Sequence, residues 1–199
     1  PGSTDPNTAQ QPTPTPSAQP GSAEDYNEQG LASAKQGDAK SAEAAWRKSI
    51  ELDPKNPKYH ANLGVLLQSQ GKLDEGITEL KEAIRLNPND AENHLKLAVA
   101  YGQQKKLDEA MTQAQEALRV KPDFAPAHVV MAAVSSAQGK QDDAVASLKT
   151  ATDLFKKQGQ TDQQVDTQIK LALALGQQKK VDEAIPQIQE AIALKPDFA

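Results

Sequence analysis

The sequence predicts an all-α fold, a solenoid of stacked helix-turn-helix repeats, and three observations carry that prediction. A stretch recurs: GQQKKLDEAMTQAQEALRVKPDFA at 102–125 returns as GQQKKVDEAIPQIQEAIALKPDFA at 176–199, with 17 of 24 positions identical. Small residues come back at a fixed period of 34, a spacing in the range of repeat arrays. The chain of 199 residues is 37% hydrophobic but only 4% aromatic, thin for one large core and adequate for repeats that bury alanine and leucine against their neighbours.

The chain opens with a segment that has no means of packing. Residues 1–22 hold six prolines and nothing apolar larger than alanine, so burial cannot offset the entropy of ordering them. This is a disordered Pro/Thr/Gln-rich arm, semi-extended where Pro alternates with Thr. If ordered at all, it is expected to lie against a neighbouring chain or groove. Pro1 in place of Met indicates a processed or shortened chain, with any targeting peptide outside it.

At Ser22-Ala-Glu24-Asp25 the composition changes to that of a helix start, with a hydroxyl cap followed by acids at the positive helix end. The repeat domain, 23–199, then divides into units 23–56, 57–90, 91–124 and 125–158, followed by six extra residues and a fifth unit, 165–198. In each unit a first helix of about 14 residues leads through a turn (Gln36-Gly37-Asp38 is the first) into a second helix. Four of these second helices stop before Pro54, Pro88, Pro122 and Pro196. The fourth unit has Lys156 there, so its second helix is expected to run on toward Gly159, and Pro186 is expected near the first turn of the last helix.

Two places per unit carry the strongest packing signal. Gly30, Gly64, Ala98, Ala132 and Ala172 fall midway along the first helices, and Ala42, Gly76, Ala110, Ala144 and Ala184 fall early in the second. Glycine inside a helix costs about 1 kcal/mol relative to alanine, so its recurrence there means that two helix backbones approach closely. Larger residues of the same faces, among them Leu63, Leu97, Trp46 and Leu80, are expected to fill the seams.

With period 34, small residues at the eighth and twentieth places, Ala or Ser at the twenty-seventh (Ser49, Ala83, Ala117, Ala151, Ala191) and Pro at the thirty-second, the chain resembles the tetratricopeptide repeat family. The resemblance implies a right-handed superhelix whose first helices line a concave groove for a peptide or a partner's helix. It does not imply the family's carboxylate clamp. The clamp places here hold Asn27, Leu31, Asn62, Glu92 and Lys96, and a terminal carboxylate needs more charge-assisted donors than these supply.

The lining implied is instead apolar: Leu31, Ala61, Val65, Leu95, Val99, Val129, Ala133, Ile169 and Leu173. Amides and two lysines surround it: Asn27, Asn62, Gln68, Gln103, Gln177, Lys96 and Lys170. Such a trough suits the apolar face of an amphipathic helix, or an extended segment with alternating apolar side chains.

No constellation for chemistry accompanies it. His60, His94 and His128 stand 34 apart, a ladder that packing explains, because helices 8–10 Å apart keep three imidazoles from one ion. Acidic pairs such as Asp74-Glu75 and Asp108-Glu109 fall at helix starts, where carboxylates satisfy free N–H groups. There is no Gly-rich phosphate loop and no Gly-x-Ser-x-Gly turn. No catalytic residue, metal or cofactor is expected, and the absence of cysteine removes thiolate chemistry and disulfides.

A net charge of −5 and a pI near 5.3 argue against a nucleic-acid partner. No segment reaches the 18 or more apolar residues of a membrane span. The partner expected is a protein or peptide segment, and the protein is expected to be a non-enzymatic interaction scaffold. Two alternatives are a recruiting domain of a larger enzyme and a self-associating assembly factor, pairing through an uncapped last repeat or through the arm. The arm and the lack of cysteine favour an exported or lipid-tethered location, although a cytoplasmic linker has the same composition.

Overall fold

A computed structural model of the chain describes residues 21–195. The arm up to residue 20 and the end from 196 lie outside the described residues, as does the expected contact of the arm. Among the described residues there are ten helices and no strand: α1 (Ala23–Lys35), α2 (Ala39–Leu52), α3 (Pro57–Ser69), α4 (Leu73–Leu86), α5 (Ala91–Gln103), α6 (Leu107–Val120), α7 (Ala125–Ala137), α8 (Gln141–Lys157), α9 (Thr161–Gln177) and α10 (Val181–Leu194).

The first three helix starts follow their capping chemistry. Ser22 and Asp25 form a capping box before α1, Asp38 accepts from the Ser41 amide before α2, and Asn56 precedes Pro57 at the first position of α3. Between paired helices the chain reverses in three residues, and the reversal needs one residue with positive φ. Gly37, Gly71 and Gly139 supply it at 77–78°, but Lys105 and Lys179 adopt φ of 59° and 60°. A side chain there costs about 1–2 kcal/mol, against about 0.5–1 kcal/mol of backbone entropy that glycine loses. Lys105→Gly is therefore expected to stabilise the chain by about 0.5 kcal/mol or more, read as a higher midpoint in urea unfolding.

Each first helix packs on its own second helix, and each second helix on the next first helix. Direct contacts of α3 with α5 and of α5 with α7 put the first helices on the inner side of the curve. The recurrent small residues sit where the backbones come together: Ala42, Ala98 and Ala110 are fully buried, and a Cβ on Gly64 would lie 3.0 Å from the carbonyl oxygen of Gly76. The seams hold the larger side chains. Trp46, Leu63, Leu66 and Leu67 fill the first, and Ile77, Leu80, Leu97 and Tyr101 fill the next.

Two expectations are refined. With no proline to stop it, α8 runs 17 residues to Lys157, and Gly159 turns the chain at φ 69°. The residues set aside before Val165 are largely helical, since α9 starts at Thr161 and is itself 17 residues long. Pro186 is not in the first turn. It is the sixth residue of α10, where it removes the amide that would bond the carbonyl of Asp182, and the helix continues through it to Leu194.

Candidate functional site

The inner face is built by the ninth residue of each unit. In α3 the residues around it, Leu63, Gly64, Leu66 and Leu67, all turn into the seams, which leaves Val65 pointing away from them at 42% exposure. The same geometry holds Leu31 at 41%, Val99 at 39% and Leu173 at 63%, with Ala133 exposed between them. Exposed aliphatic side chains thus recur once per unit along the inner face.

Three hollows run along this stripe. One of about 510 Å³ lies between α1, α3 and α5, walled by Leu31, Asn62, Val65 and Lys96, with Trp46 at its base. A second, of about 330 Å³, is walled by Val99, Gln103, Val130 and Ala133. A third, of about 250 Å³, is walled by Val129, Ala133, Lys170, Leu173 and Gln177. No Asp or Glu lines any of the three, so in a chain of net charge −5 the charges at the hollows are those of Lys96 and Lys170.

Five residues expected on the lining fall elsewhere. Asn27 is fully buried, accepting from Trp46 Nε1 at 3.2 Å and Asn62 Nδ2 at 3.0 Å while donating to Glu24 at 3.1 Å, and so is spent on the fold. Ala61, at 3% exposure, belongs to the seam with Ile77 and Leu80. Leu95 is half-buried against Ala91, Ala117 and Phe124. Gln68 is half-buried, with its side-chain amide nitrogen unpartnered, and Ile169 is exposed but outside the hollows. Val130 was missed, although its place in the unit is that of Asn62, Lys96 and Lys170, which the sequence did flag.

The histidine ladder is used for packing. His60 Nδ1 lies 2.7 Å from Glu79 and Nε2 3.0 Å from the Pro54 carbonyl; His94 repeats this with Gln113 at 2.9 Å and the Pro88 carbonyl at 3.1 Å. These two imidazoles thus each tie the start of a first helix to its own second helix and to the end of the preceding unit. In α9 the same place holds Gln168, fully buried with both amide atoms unpartnered. Among the described residues no group of three His, Cys, Asp or Glu side chains could hold a metal ion.

Glu79 raises the pKa of His60 above its ordinary 6.5, helped by the Pro54 carbonyl and the more distant Glu82, whereas burial alone lowers that of His128. With its folded pKa above the unfolded one, His60 adds stability that is complete below about pH 6.5 and is lost as pH rises through the folded value. His128 contributes with the opposite sign. Denaturant midpoints of the parent and His60→Gln chains, measured from about pH 5.5 to about pH 8.5, are expected to converge as pH rises; a constant gap would contradict this.

A second ladder went unread in the sequence. The turn glutamine of the third, fourth and fifth units donates to the aspartate at the start of the preceding unit's second helix: Gln104 to Asp74 at 2.7 Å, Gln138 to Asp108 at 2.9 Å and Gln178 to Asp142 at 3.1 Å. Its signal was present as a fixed Asp-to-Gln offset of 30 residues, stretched to 36 across the six-residue insertion.

Sequence models of the tetratricopeptide repeat match residues 30–71, 67–105, 91–124 and 165–198, well over half of the chain. The chain belongs to the tetratricopeptide repeat family. Its fold is the family's right-handed α-solenoid, and solved structures agree. MamA (residues 41 to the end) from Desulfovibrio magneticus RS-1 superposes with a TM-score of 0.73 at 13% identity, over 88% of this chain and 96% of that one. TTC0263, a thermophilic tetratricopeptide repeat protein of Thermus thermophilus, gives 0.70 at 21% identity, over 88% and 92%. YrrB, described as a tetratricopeptide repeat protein with an unusual peptide-binding site, gives 0.63 at 15% identity, over 86% of each. At these identities the likeness is one of fold. No curated protein matches the sequence. Members of the family are in general non-catalytic scaffolds, and the repeats make this chain a protein–protein interaction scaffold. No described helix is long and apolar enough to cross a membrane.

Proposed function

We propose that the inner trough is the working surface, and that it holds one apolar, acid-flanked segment of a protein partner, as an amphipathic helix or an extended strand. The observation that carries this reading is the stripe of Leu31, Val65, Val99 and Leu173, each more than a third exposed, running beside hollows whose only formal charges are lysines. Aliphatic anchors supply burial without direction. Lys96 and Lys170 supply the direction, because a carboxylate beside the anchors gains a charge-assisted hydrogen bond only in one register. The stacked helices hold the trough open beforehand, so the cost of ordering falls mainly on the incoming segment.

Panning a displayed peptide library against the chain tests this. Selected peptides are expected to carry aliphatic or aromatic residues at helical or alternate spacing with Asp or Glu nearby. Their affinity, read by fluorescence anisotropy, should fall by about tenfold or more in a Val65→Glu, Val99→Glu chain, a loss of at least ~1.4 kcal/mol. Gln115→Glu, on the exposed side of α6, should leave it unchanged. Equal binding by all three proteins would remove the trough as the site.

A further inference from the structure

Along the trough successive first helices meet at four steps: α1 to α3, α3 to α5, α5 to α7 and α7 to α9. The three hollows lie at the first, third and fourth of these. Each is walled by the ninth and twelfth places of one unit and by the sixth, ninth, tenth and thirteenth places of the next. At these three steps the twelfth place holds Ala34, Gly102 and Ser136, all of them small.

At the second step the twelfth place holds Gln68, and its side chain lies on the floor. A Cβ on Gly76 would stand 3.1 Å from Gln68 Cγ, and Gly76 has the place at which Ala144 reaches the fourth-step hollow. Leu80 shares its place with Trp46 and Leu148, which floor the first and fourth hollows, and here it is fully buried. Lys96 covers the step from the other side: it belongs to α5 yet also walls the hollow of the first step. Both side chains keep donors to spare. The Gln68 amide nitrogen is buried without a partner, and Lys96 Nζ makes a long bond of 3.4 Å to Asn93 Oδ1.

We propose that Gln68 determines the specificity of the trough by plugging its second step. The guest then seats aliphatic side chains in the hollows of the first, third and fourth steps and sets an acidic one over the second. This rests on the trough being the working surface, and it adds the order in which the guest's side chains must come. An aliphatic side chain at the second step would meet a filled floor and would cover the spare donors with nothing to accept from them. A carboxylate there takes a charge-assisted bond from Lys96 and leaves Gln68 where it lies. With helices packed about 8–10 Å apart, the first and second anchors are about 16–20 Å apart and the second and third about 8–10 Å. In an extended guest these are gaps of about six residues and about three.

Peptides selected on the parent chain from a displayed random library test the proposal. Aligned on their aliphatic anchors, they are expected to show one wide gap that holds Asp or Glu and one narrow gap. Evenly spaced anchors throughout would overturn the proposal before any variant is made. In a selected peptide, changing the acid of the wide gap to leucine should weaken binding to the parent by about tenfold, read by fluorescence anisotropy. Gln68→Ala and Gln68→Ser place at the second step the residue types that the first and fourth steps already carry. With unchanged far-ultraviolet circular dichroism, both should bind the leucine peptide at least as tightly as the acidic one. If they keep the parent's preference for the acid, Gln68 is not the plug and the proposal fails, while the trough itself stands so long as Val65→Glu, Val99→Glu still abolishes binding. Peptides indifferent to that pair of substitutions would remove both.

Discussion

Trp46→Ala is expected to cost about 3–5 kcal/mol, and to release the first helix pair while the rest of the solenoid stays folded. The indole is 4% exposed and fills the first seam against Leu63, Leu66 and Leu67, lying so close over Gly30 that a Cβ there would sit 2.6 Å from Nε1. Truncation leaves a cavity that Gly30, having no side chain, cannot fill. It also takes one of the two donors from the buried oxygen of Asn27, whose remaining partner is Asn62 at 3.0 Å. In a solenoid this loss stays local, because each pair touches only its neighbours. Native-state hydrogen exchange should show α1 and α2 losing protection while α5 to α8 keep theirs. A uniform loss along the chain would mean that the repeats unfold as one unit.

The second large effect is at the closest backbone approach between α3 and α4. A Cβ on Gly76 would stand 2.8 Å from the Gly64 carbonyl oxygen and 3.3 Å from the Gln68 amide nitrogen, both backbone atoms fixed by helix geometry. Gly76→Val should therefore cost about 3 kcal/mol through overpacking, despite the better helix propensity of the new residue. Gly102→Ala is the control. That glycine lies in the last turn of α5 with nothing within 4 Å of an added Cβ, so the same kind of change should gain up to about 1 kcal/mol. Opposite signs in thermal or urea unfolding are the expected result. Two losses would mean that glycine is needed at 102 for something other than contact.

These contrasts mark where the sequence was legible. Helix pairing could be read because the eighth and twentieth places accept only small residues, and that restriction is visible as a period. The end of α8 could be read because a proline stop is missing. Exposure within the lining was harder. Asn27 and Asn62 occupy neighbouring places in successive units and look alike in sequence, yet the first is buried only because Trp46 reaches across from the facing helix to bond it. Nothing at place five announces that partner. Val130 was passed over because its place holds Glu28, Asn62, Lys96 and Lys170 in the other units, so no residue type marks that place as lining. The reach of Gln104 back to Asp74 was hidden because both residue types are expected in turns and at helix starts for local reasons.

The longer α8 and α9 bear on how the trough would be measured by whatever lies in it. Both added segments fall at the edge where one unit hands over to the next, after the body of α8 and before that of α9. The strut from Gln178 to Asp142 keeps its place at 3.1 Å, and Leu173 stays in the exposed stripe. The insertion thus raises a ledge of about one helical turn, roughly 5 Å tall, beside the channel and leaves the cadence within it undisturbed. A guest with evenly spaced anchors would meet Leu173 where Leu31, Val65, Val99 and Ala133 lead it to expect a contact.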